Sequence, residues 1–272
     1  MSKQKYNLIF VILTYRNTND LKNFIKVTRE KLVGSYRIIV VNSYFDENSR
    51  KEFYNIATDN ECDFLNIENK GYGYGNNQGI EFARKNYEFN FLIVSNPDIE
   101  IIHFPIKKLE GLKDCIIAPS IKTLTGKNQN PFYYSKMELV DFLKYYSCIT
   151  EKKIISYVGI VINKLYRELR LIIDRILKVK QRRIYAAHGS FVIIGSEVLA
   201  KLGKIYNEKM FLFHEENHLA RLARSKNIKT YMIPEIKVLH KEDGSVGLES
   251  EKITKKYGRD SFIIYYESWK NK

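Results

Sequence analysis

The amino-acid sequence predicts an α/β fold in which a mostly parallel central sheet is flanked by helices. Over the first hundred residues, short apolar runs alternate with amphipathic stretches, a pattern typical of parallel strands joined by crossover helices. Polar residues directly follow each apolar run, and in such sheets ligands bind at the carboxyl ends of the strands. The length of 272 residues lies within the size of one large domain, so we expect a single domain over residues 1–272.

Four apolar runs are predicted strands, and the stretches between them are predicted helices. The runs are residues 8–14, 37–41, 64–67 and 91–94. The helical stretches are residues 19–32, 49–60 and 76–86. An Asn, Asp or Ser opens or precedes each helical stretch and can cap its free backbone N–H groups. Further along the chain, residues 188–194 predict a strand, residues 211–224 predict a helix, and a last strand-like run ends at His240.

Residues 136–183 differ in composition from the rest of the chain and predict a basic helical insertion. The apolar residues there recur mostly at three- and four-residue spacings; they are Val158, Ile162, Leu165, Leu169, Ile172, Ile173, Ile176 and Leu177. From residue 151 onward the basic residues are Lys152, Lys153, Lys164, Arg167, Arg170, Arg175, Lys178, Lys180, Arg182 and Arg183, against the acidic Glu151, Glu168 and Asp174. This composition is typical of a helix that lies in anionic lipid headgroups. A helical hairpin packed on the main domain is the alternative, and both can hold.

Charge and cysteine content bound the cellular setting. A net charge of +14 implies attraction to nucleic acid, an acidic membrane surface or phosphorylated ligands. The three widely spaced cysteines lack the pairing of a secreted disulfide scaffold, which favours a reducing cytosol. No stretch approaches the roughly 20 apolar residues that span a bilayer, and the first apolar run is too short for a signal-peptide core. We expect a cytoplasmic protein, peripheral at the inner face of the plasma membrane.

Asp98 is a candidate metal ligand. It follows a buried run directly, where its carboxylate would lie at the edge of the sheet and could bind Mg²⁺ or Mn²⁺. A cation that bridges two phosphates stabilises the charge that develops on a leaving diphosphate. His240 is a candidate second ligand, since imidazole binds transition ions. The alternatives are an ordinary Pro-Asp turn and a structural histidine, as for His103, His188, His214 and His218.

Residues 69–79 predict a ligand-binding loop. Their glycines would let the backbone approach a ligand closely, while asparagine side chains supply donors and acceptors. The stretch has neither the Gly-Lys-Ser/Thr of a P-loop nor the spacing of a Rossmann fingerprint. A flexible surface loop is the alternative.

Glu215 and Glu216 are candidate general bases because they lie at a predicted helix start, where the helix dipole favours an ionised carboxylate. A carboxylate there could take the proton of an acceptor hydroxyl. Acidic residues in a first helical turn are also ordinary, and that is the alternative.

Taken together in this order, these segments resemble the bacterial glycosyltransferase family 2 enzymes of the GT-A fold. The similarity is to rhamnosyltransferase-like and galactofuranosyltransferase-like members that build surface polysaccharides. It covers about residues 6–125 and 185–245 and leaves the basic insertion unexplained.

The resemblance implies which residues contact the nucleotide sugar. Thr14, Tyr15 and Arg16 stand at the family's Thr-Tyr-Asn-like motif, and Asn42 stands where the family has Asp. Residues 69–79 are similar to the family's Asn-x-Gly loop. The donor-binding residues implied there and beside the metal motif are Asn69, Gly71, Tyr72, Gly75, Asn77 and Asn96.

The resemblance also implies the metal and base residues. Asp98 corresponds to the last carboxylate of the metal motif, and His240, followed by Gly244 and Ser245, corresponds to the family's Val-x-His stretch. Glu216 occupies the base position. Because Glu216 is a longer residue than the family's Asp, and His218 replaces a later Asp, Glu215 is an alternative base. The segment from His188 to Ser190 resembles the family's acceptor-side segment.

The implied activity is an inverting, metal-dependent sugar transfer. The donor would be a UDP- or dTDP-sugar, and the acceptor a lipid-diphosphate-linked glycan at an anionic membrane surface, in capsule, O-antigen or other polysaccharide synthesis. A nucleotidyltransferase is one rival, but it would need a glycine-rich basic loop after the first strand, and residues 14–18 contain no glycine. A basic RNA-binding protein is another, without an RRM, KH or zinc-knuckle pattern to support it, so no nucleic-acid partner is expected. The sugar, the linkage and the oligomeric state stay open.

Overall fold

A computed structural model describes residues 3–179, 181–242 and 250–271 of the chain. The strands are β1 (Gln4–Thr14), β2 (Tyr36–Ser43), β3 (Asp63–Ile67), β4 (Tyr87–Ser95), β5 (Ile99–His103), β6 (Cys115–Thr123), β7 (Arg182–Ile184), β8 (Phe191–Gly195) and β9 (Lys229–His240). The helices are α1 (Thr18–Lys31), α2 (Glu47–Asp59), α3 (Tyr72–Asn86), α4 (Glu138–Thr150), α5 (Lys153–Ile176), α6 (Ser196–Leu202), α7 (Glu215–Ser225) and α8 (Glu251–Trp269).

All of these strands belong to one sheet, with the order β3-β2-β1-β4-β8-β6-β9-β5 and with β7 paired to β9. The strands from β3 to β4 are parallel, as predicted. Beyond β4 the sheet is mixed: β8 is antiparallel to β4 and to β6, β6 is parallel to β9, and β5 and β7 are antiparallel to β9. The predicted α/β class is confirmed, and the parallel arrangement is confined to the first half of the sheet and the β6-β9 pair.

Burial on both faces explains the continuous apolar run of β1. Phe10 and Ile12 pack with α1 and α2 on one face of the sheet, while Ile9 and Val11 pack with α3, α6 and α7 on the other. Successive strand side chains point to opposite faces, so a strand covered on both sides needs apolar residues at every position. The carboxyl ends of β2, β1 and β4 consequently meet at one edge, with helices on either side.

The predicted ligand loop at residues 69–79 is wrong for most of its length, because α3 begins at Tyr72. A Cβ atom at Gly75 would clash with the side chain of Leu13, and one at Gly79 would clash with valines of β1 and β2. These glycines therefore let α3 lie close against the sheet, and Gly75 does not face a ligand.

The fold is also stabilised by contacts of Asn69, Gly71 and Asn77. The Asn69 side chain accepts a hydrogen bond from the Gly71 backbone N–H at 3.3 Å. Gly71 has φ +99°, and a Cβ atom there would overlap the backbone of Phe211. Asn77 is buried, and its amide donates to the Tyr206 carbonyl at 3.0 Å and accepts from the Tyr206 N–H at 3.2 Å. These residues therefore have structural contacts, and their predicted contacts with a donor stay a prediction.

The basic insertion contains two helices, α4 and α5, which pack on each other as a hairpin. This agrees with the helical segment predicted there. Helix α8, which has no counterpart among the predicted elements, packs on α4 and α7. Arg221 of α7 joins the three helices, since its guanidinium donates to Glu138 at 2.8 Å and to Tyr265 at 3.1 Å. Within the described ranges, no helix is long and apolar enough to cross a membrane.

Candidate active site

Strand pairing brings Asp98 and His240 together although they are far apart in the sequence. In the antiparallel β5-β9 pair Ile99 lies opposite His240. Asp98 precedes Ile99, and its Oδ2 atom lies 3.2 Å from His240 Nε2. The predicted pair of metal ligands is thus adjacent in space.

The hydrogen bonds around His240 indicate which ring nitrogen carries the proton. Gln129 Nε2 donates to Glu242 at 2.7 Å, so the other amide atom, Oε1, faces His240 Nδ1 at 2.8 Å. Since Oε1 is an acceptor, Nδ1 must be the protonated nitrogen. In the neutral ring Nε2 is then an acceptor that faces the Asp98 carboxylate.

Two acceptors at this separation require a cation between them, either a proton or a metal ion. Asp98 is 4% exposed, and its other oxygen, Oδ1, has no hydrogen-bond partner within the described part of the chain. A carboxylate and an imidazole with open lone pairs fit Mn²⁺ or Mg²⁺. The residues described contain no group of three His, Cys, Asp or Glu able to hold a metal, so the remaining ligands would come from the donor phosphates and water.

The segment from His188 to Ser190 lies next to this pair. The rings of His188 and His240 are 5.9 Å apart between centroids. His188 Nδ1 lies 2.9 Å from Ser190 Oγ, and burial lowers the pKa of His188 to about 3, so this ring is neutral. The Asn96 backbone N–H donates to the Ser190 carbonyl at 2.9 Å, which fixes the segment against the end of β4.

Tyr72 links Asn96 to the same segment. Its hydroxyl lies 3.2 Å from Asn96 Oδ1 and 3.1 Å from the Gly189 carbonyl. Burial raises the pKa of Tyr72 well above its usual value, so the hydroxyl keeps its proton and can donate to either acceptor. Tyr72 and Asn96 are therefore held against the segment that lies next to Asp98 and His240, and their contact with a donor stays a prediction.

Glu215 and Glu216 are the first two residues of α7. Glu215 is buried, and no described residue donates to its Oε1 atom. Burial, together with repulsion from Glu216, raises the pKa of Glu215 well above its usual value, which favours the protonated form of Glu215. Glu216 lies beside Gly189, where an added Cβ atom would be 3.7 Å from its Oε2 atom.

Opposing influences act on Glu216. Burial raises its pKa, while a backbone hydrogen bond and the nearby Lys144 ammonium lower it. Lys144 comes from α4, and its Nζ atom lies 3.4 Å from His214 Nε2 and 4.6 Å from the centroid of the Phe262 ring. The pKa of Glu216 stays raised overall, and burial lowers the pKa of Lys144. Of the two carboxylates, Glu216 is the one whose ionised form is favoured by a nearby cation.

The site residues predicted from the sequence do not include Lys144, Tyr206 and Gln129. Lys144 is one of many lysines in a helical segment, and no local pattern separates it from the rest. A small cavity lies between the carboxylates and the sheet, and its lining includes Tyr72, Tyr185, Gly189, Tyr206, Glu215 and Glu216. Lys144 and the residues that line the cavity come together only because α4, α7 and β8 pack against one another.

The predicted nucleotide residues lie at the ends of β1 and β2. Tyr15 packs edge-on against Phe45 at 5.6 Å between ring centroids, and the Arg16 guanidinium lies 4.3 Å from the centroid of the Phe45 ring. Thr14 does not face this surface, because its buried hydroxyl donates to the Val41 carbonyl at 3.2 Å.

Asn42 is the other polar group at this edge. Its Nδ2 donates to Asn66 Oδ1 at 2.7 Å, whereas its buried Oδ1 has no donor among the residues that the structure describes. A buried acceptor without a partner is costly. Asn42 therefore has an open acceptor next to the aromatic group of Tyr15 and Phe45.

Three predicted residues lie outside the described part of the chain: Lys180, Gly244 and Ser245.

Comparison with known proteins identifies related folds. No protein-family model matches the chain. A hexosyltransferase of low-salt glycan biosynthesis from Haloferax volcanii is 23% identical over 243 residues, which cover 87% of this chain and 67% of that protein. The crystal structure of GalNAc-T7 with UDP, GalNAc and Mn²⁺ matches 97% of this chain with a TM-score of 0.60 and 12% identity. S. aureus TarS matches 86% with a TM-score of 0.55 and 9% identity.

The chain spans 48% of the length of GalNAc-T7 and 36% of that of TarS. At these identities the two structures show the fold alone. Together with the similarity to a hexosyltransferase, they confirm the predicted GT-A fold class and the resemblance to glycosyltransferases.

Proposed function

We propose that this chain, a glycosyltransferase family 2-like protein with the GT-A fold, transfers a sugar from a nucleotide diphosphate sugar to a hydroxyl of a glycan acceptor. The observation that carries the proposal is the convergence of two groups on the segment from His188 to Ser190. Asp98 and His240 lie next to His188, and Glu216 lies beside Gly189. A cation-binding pair and a carboxylate base near one segment are the groups that transfer from a diphosphate donor requires.

The donor nucleotide is proposed to bind at the ends of β1 and β2. Tyr15, Arg16 and Phe45 offer an aromatic and cationic surface to a base. The open Oδ1 acceptor of Asn42 suits the N3–H donor of uracil or thymine. This supports a UDP- or dTDP-sugar, with an amide in the place of the family's carboxylate.

Asp98 and His240 would hold a Mg²⁺ or Mn²⁺ ion in this proposal, since both present open acceptors. When bound, the ion would neutralise the charge that develops on the leaving diphosphate. Tyr72 and Asn96 position the neighbouring backbone and face the sugar side of the same site.

Glu216 is proposed to act as the base of an inverting displacement. It takes the proton of the acceptor hydroxyl as that oxygen forms a bond to the anomeric carbon, and the bond from this carbon to the diphosphate oxygen breaks. The electron pair of the broken bond leaves with the nucleoside diphosphate. The raised pKa of Glu215 favours its protonated form, and no cation among the described residues opposes this, so Glu216 is the better candidate for this proton transfer.

The acceptor is proposed to be a lipid-diphosphate-linked glycan that enters from the side of α4. Lys144 adds a cation at that entrance, and the basic insertion suits an anionic carrier. Similarity to a glycan biosynthesis hexosyltransferase supports a place in the synthesis of capsule, O-antigen or another surface polysaccharide.

A donor panel tests the proposed function. The full chain is incubated with UDP- and dTDP-sugars, Mn²⁺ or Mg²⁺ and a soluble analogue of a diphosphate-linked glycan. The expected result is release of nucleoside diphosphate and a product whose mass is increased by one hexose or deoxyhexose. Donor binding without transfer to any acceptor, or release of pyrophosphate from a sugar phosphate and a nucleoside triphosphate, would contradict the proposal.

Replacing Lys144 by Met is expected to move the acid limb of the kcat profile to higher pH. The Lys144 ammonium lowers the pKa of Glu216, so its loss raises that pKa and protonates the base at a higher pH. The other groups that face this site are Tyr72, Tyr133, Tyr206 and Glu215. The measurement is kcat against pH with a soluble acceptor. Lys164→Met, on α5, is the control, and the same profile in both variants would contradict the role of Lys144.

A further inference from the structure

Helix α5 exposes an apolar stripe along its whole length. The stripe recurs at three- and four-residue spacings, and each of its residues is more than half exposed: Ile154, Tyr157, Val161, Leu165, Leu169, Ile172 and Ile176. Residues at these spacings share one face of a helix. The stripe is therefore a continuous apolar surface, about 36 Å long for 24 residues.

The opposite face of α5, which packs on the body of the protein, is mixed: Tyr166 and Leu171 pack against the core, and polar groups pair beside them. The Asp174 carboxylate accepts a hydrogen bond from Tyr134 at 2.9 Å and pairs with Arg182. Tyr166 lies within 3.2 Å of the Ser135 hydroxyl. A helix on the surface of a soluble protein normally buries its apolar stripe, so α5 is turned the other way. The predicted apolar positions, apart from Ile173, face outward and do not form the core of a packed hairpin.

Helix α4 adds a second exposed apolar row. Its residues are Leu139, Phe142, Tyr146 and Ile149, again at three- and four-residue spacings. The two helices pack on each other, with Gly159 of α5 in contact with Val140 of α4. The hairpin thus exposes far more apolar surface than the scattered single residues usual on a soluble protein.

The charge of the hairpin is positive. Each acidic residue of the insertion is paired with an arginine. Arg221 pairs with both Glu138 and Asp141 of α4, and the other pairs are Glu151 with Arg259 at 2.6 Å, Glu168 with Arg167 at 3.2 Å, and Asp174 with Arg182. The excess charge is carried by the exposed Lys152, Lys164, Arg175 and Lys178. A second copy of this hairpin would be repelled by like charge, whereas an anionic surface would be attracted.

We propose that the α4–α5 hairpin docks on an anionic lipid bilayer, with α5 lying in the headgroup region and its apolar stripe inserted among the acyl chains. Helix α5 carries an apolar stripe with basic residues beside it, and it is too charged to span a membrane. This is the pattern of an interfacial helix. The inner side of α4 carries Lys144 beside the Glu216 site. This inference rests on the proposed function: docking would hold the Glu216 site at the membrane surface, where a lipid-linked acceptor lies.

Vesicle sedimentation of the full chain, without donor, tests the docking surface. The chain is expected to bind vesicles of phosphatidylglycerol and phosphatidylcholine in equal parts and to bind pure phosphatidylcholine more weakly, with the difference reduced by salt. The triple variant Leu165→Ser, Leu169→Ser, Ile172→Ser is expected to bind the anionic vesicles at least about tenfold more weakly. All three side chains are exposed, so folding should be retained.

A matched control removes exposed apolar side chains elsewhere. Val33→Ser with Leu124→Ser changes residues that are 88% and 66% exposed and should leave vesicle binding unchanged. Equal binding by the triple variant and the unaltered chain would overturn the proposal. So would an unaltered chain that forms a dimer in analytical ultracentrifugation while the triple variant is monomeric, because the stripe would then bind a second copy.

Transfer to a soluble acceptor separates this proposal from the proposed function. The triple variant should retain that transfer at the rate of the unaltered chain, since the stripe lies outside the site. Loss of vesicle binding with normal transfer supports docking through the stripe. An unaltered chain that binds vesicles but transfers no sugar would contradict the proposed function and leave the docking surface standing.

Discussion

Replacing Glu216 by Gln is expected to lower kcat for sugar transfer by about 10²–10⁴-fold, the usual contribution of a general base. Gln has the same shape but cannot accept the proton of the acceptor hydroxyl. Donor binding should be unchanged, because the nucleotide is proposed to bind at the ends of β1 and β2. The measurements are kcat with a saturating soluble acceptor and the Kd of the nucleoside diphosphate by calorimetry.

Glu215→Gln is the matched control for this variant. Glu215 is next to Glu216 on the same helical turn, but burial and its neighbour raise its pKa and favour its protonated form. A neutral amide should therefore replace it with little loss of kcat. If Glu215→Gln abolished transfer while Glu216→Gln remained active, the two roles would be exchanged. Full activity of Glu216→Gln would remove it as the base.

Replacing Asp98 by Asn is expected to lower kcat at least about 10²-fold, because a bound metal ion contributes several kcal/mol to the stabilisation of developing charge. The substitution retains the size of the side chain and removes the negative charge that faces His240 Nε2. Mn²⁺ should no longer strengthen binding of the nucleoside diphosphate. Titration of Mn²⁺ in the presence of UDP, followed by electron paramagnetic resonance, measures this directly.

Glu100→Gln is the control for Asp98. Glu100 belongs to β5, close to Asp98 in the chain, but its carboxylate pairs with Lys241 at 2.8 Å and accepts from Asn23 at 2.8 Å. Its loss should leave the Mn²⁺ affinity as it was. An Asp98→Asn variant with unaltered kcat and unaltered Mn²⁺ titration would show that the pair with His240 is held by a proton and not by a metal ion.

Burial explains why the first half of the fold could be predicted. The strands β1, β2 and β4 are covered on both faces, so their apolar runs stand out as continuous. The helices α1 and α2 are capped by Asn17 and Asp46, whose side chains accept hydrogen bonds from the backbone. Both caps lie shortly before the predicted starts at residues 19 and 49, so the two helices could be predicted but their first residues could not. Polar residues after each strand then indicated the ligand edge.

The glycine-rich stretch shows where local pattern misleads. Glycine favours both loops and close approach of backbones, and the sequence does not distinguish the two. At Gly75 the neighbour is the Leu13 side chain, so packing of α3 on the sheet explains the residue. The same ambiguity affects Asn77, whose amide pairs with Tyr206 in the interior.

By itself, the sequence determined the α/β class, the order of the strand-end motifs and the identity of Asp98, His240 and the two glutamates as candidates, because these follow from local periodicity and from residue type. Only the tertiary structure decided that Asp98 meets His240, that Lys144 is close enough to lower the pKa of Glu216, that burial raises the pKa of Glu215, and that the stripe on α5 points away from the body. Each of these depends on strand register or helix packing between distant segments, and on the burial that results.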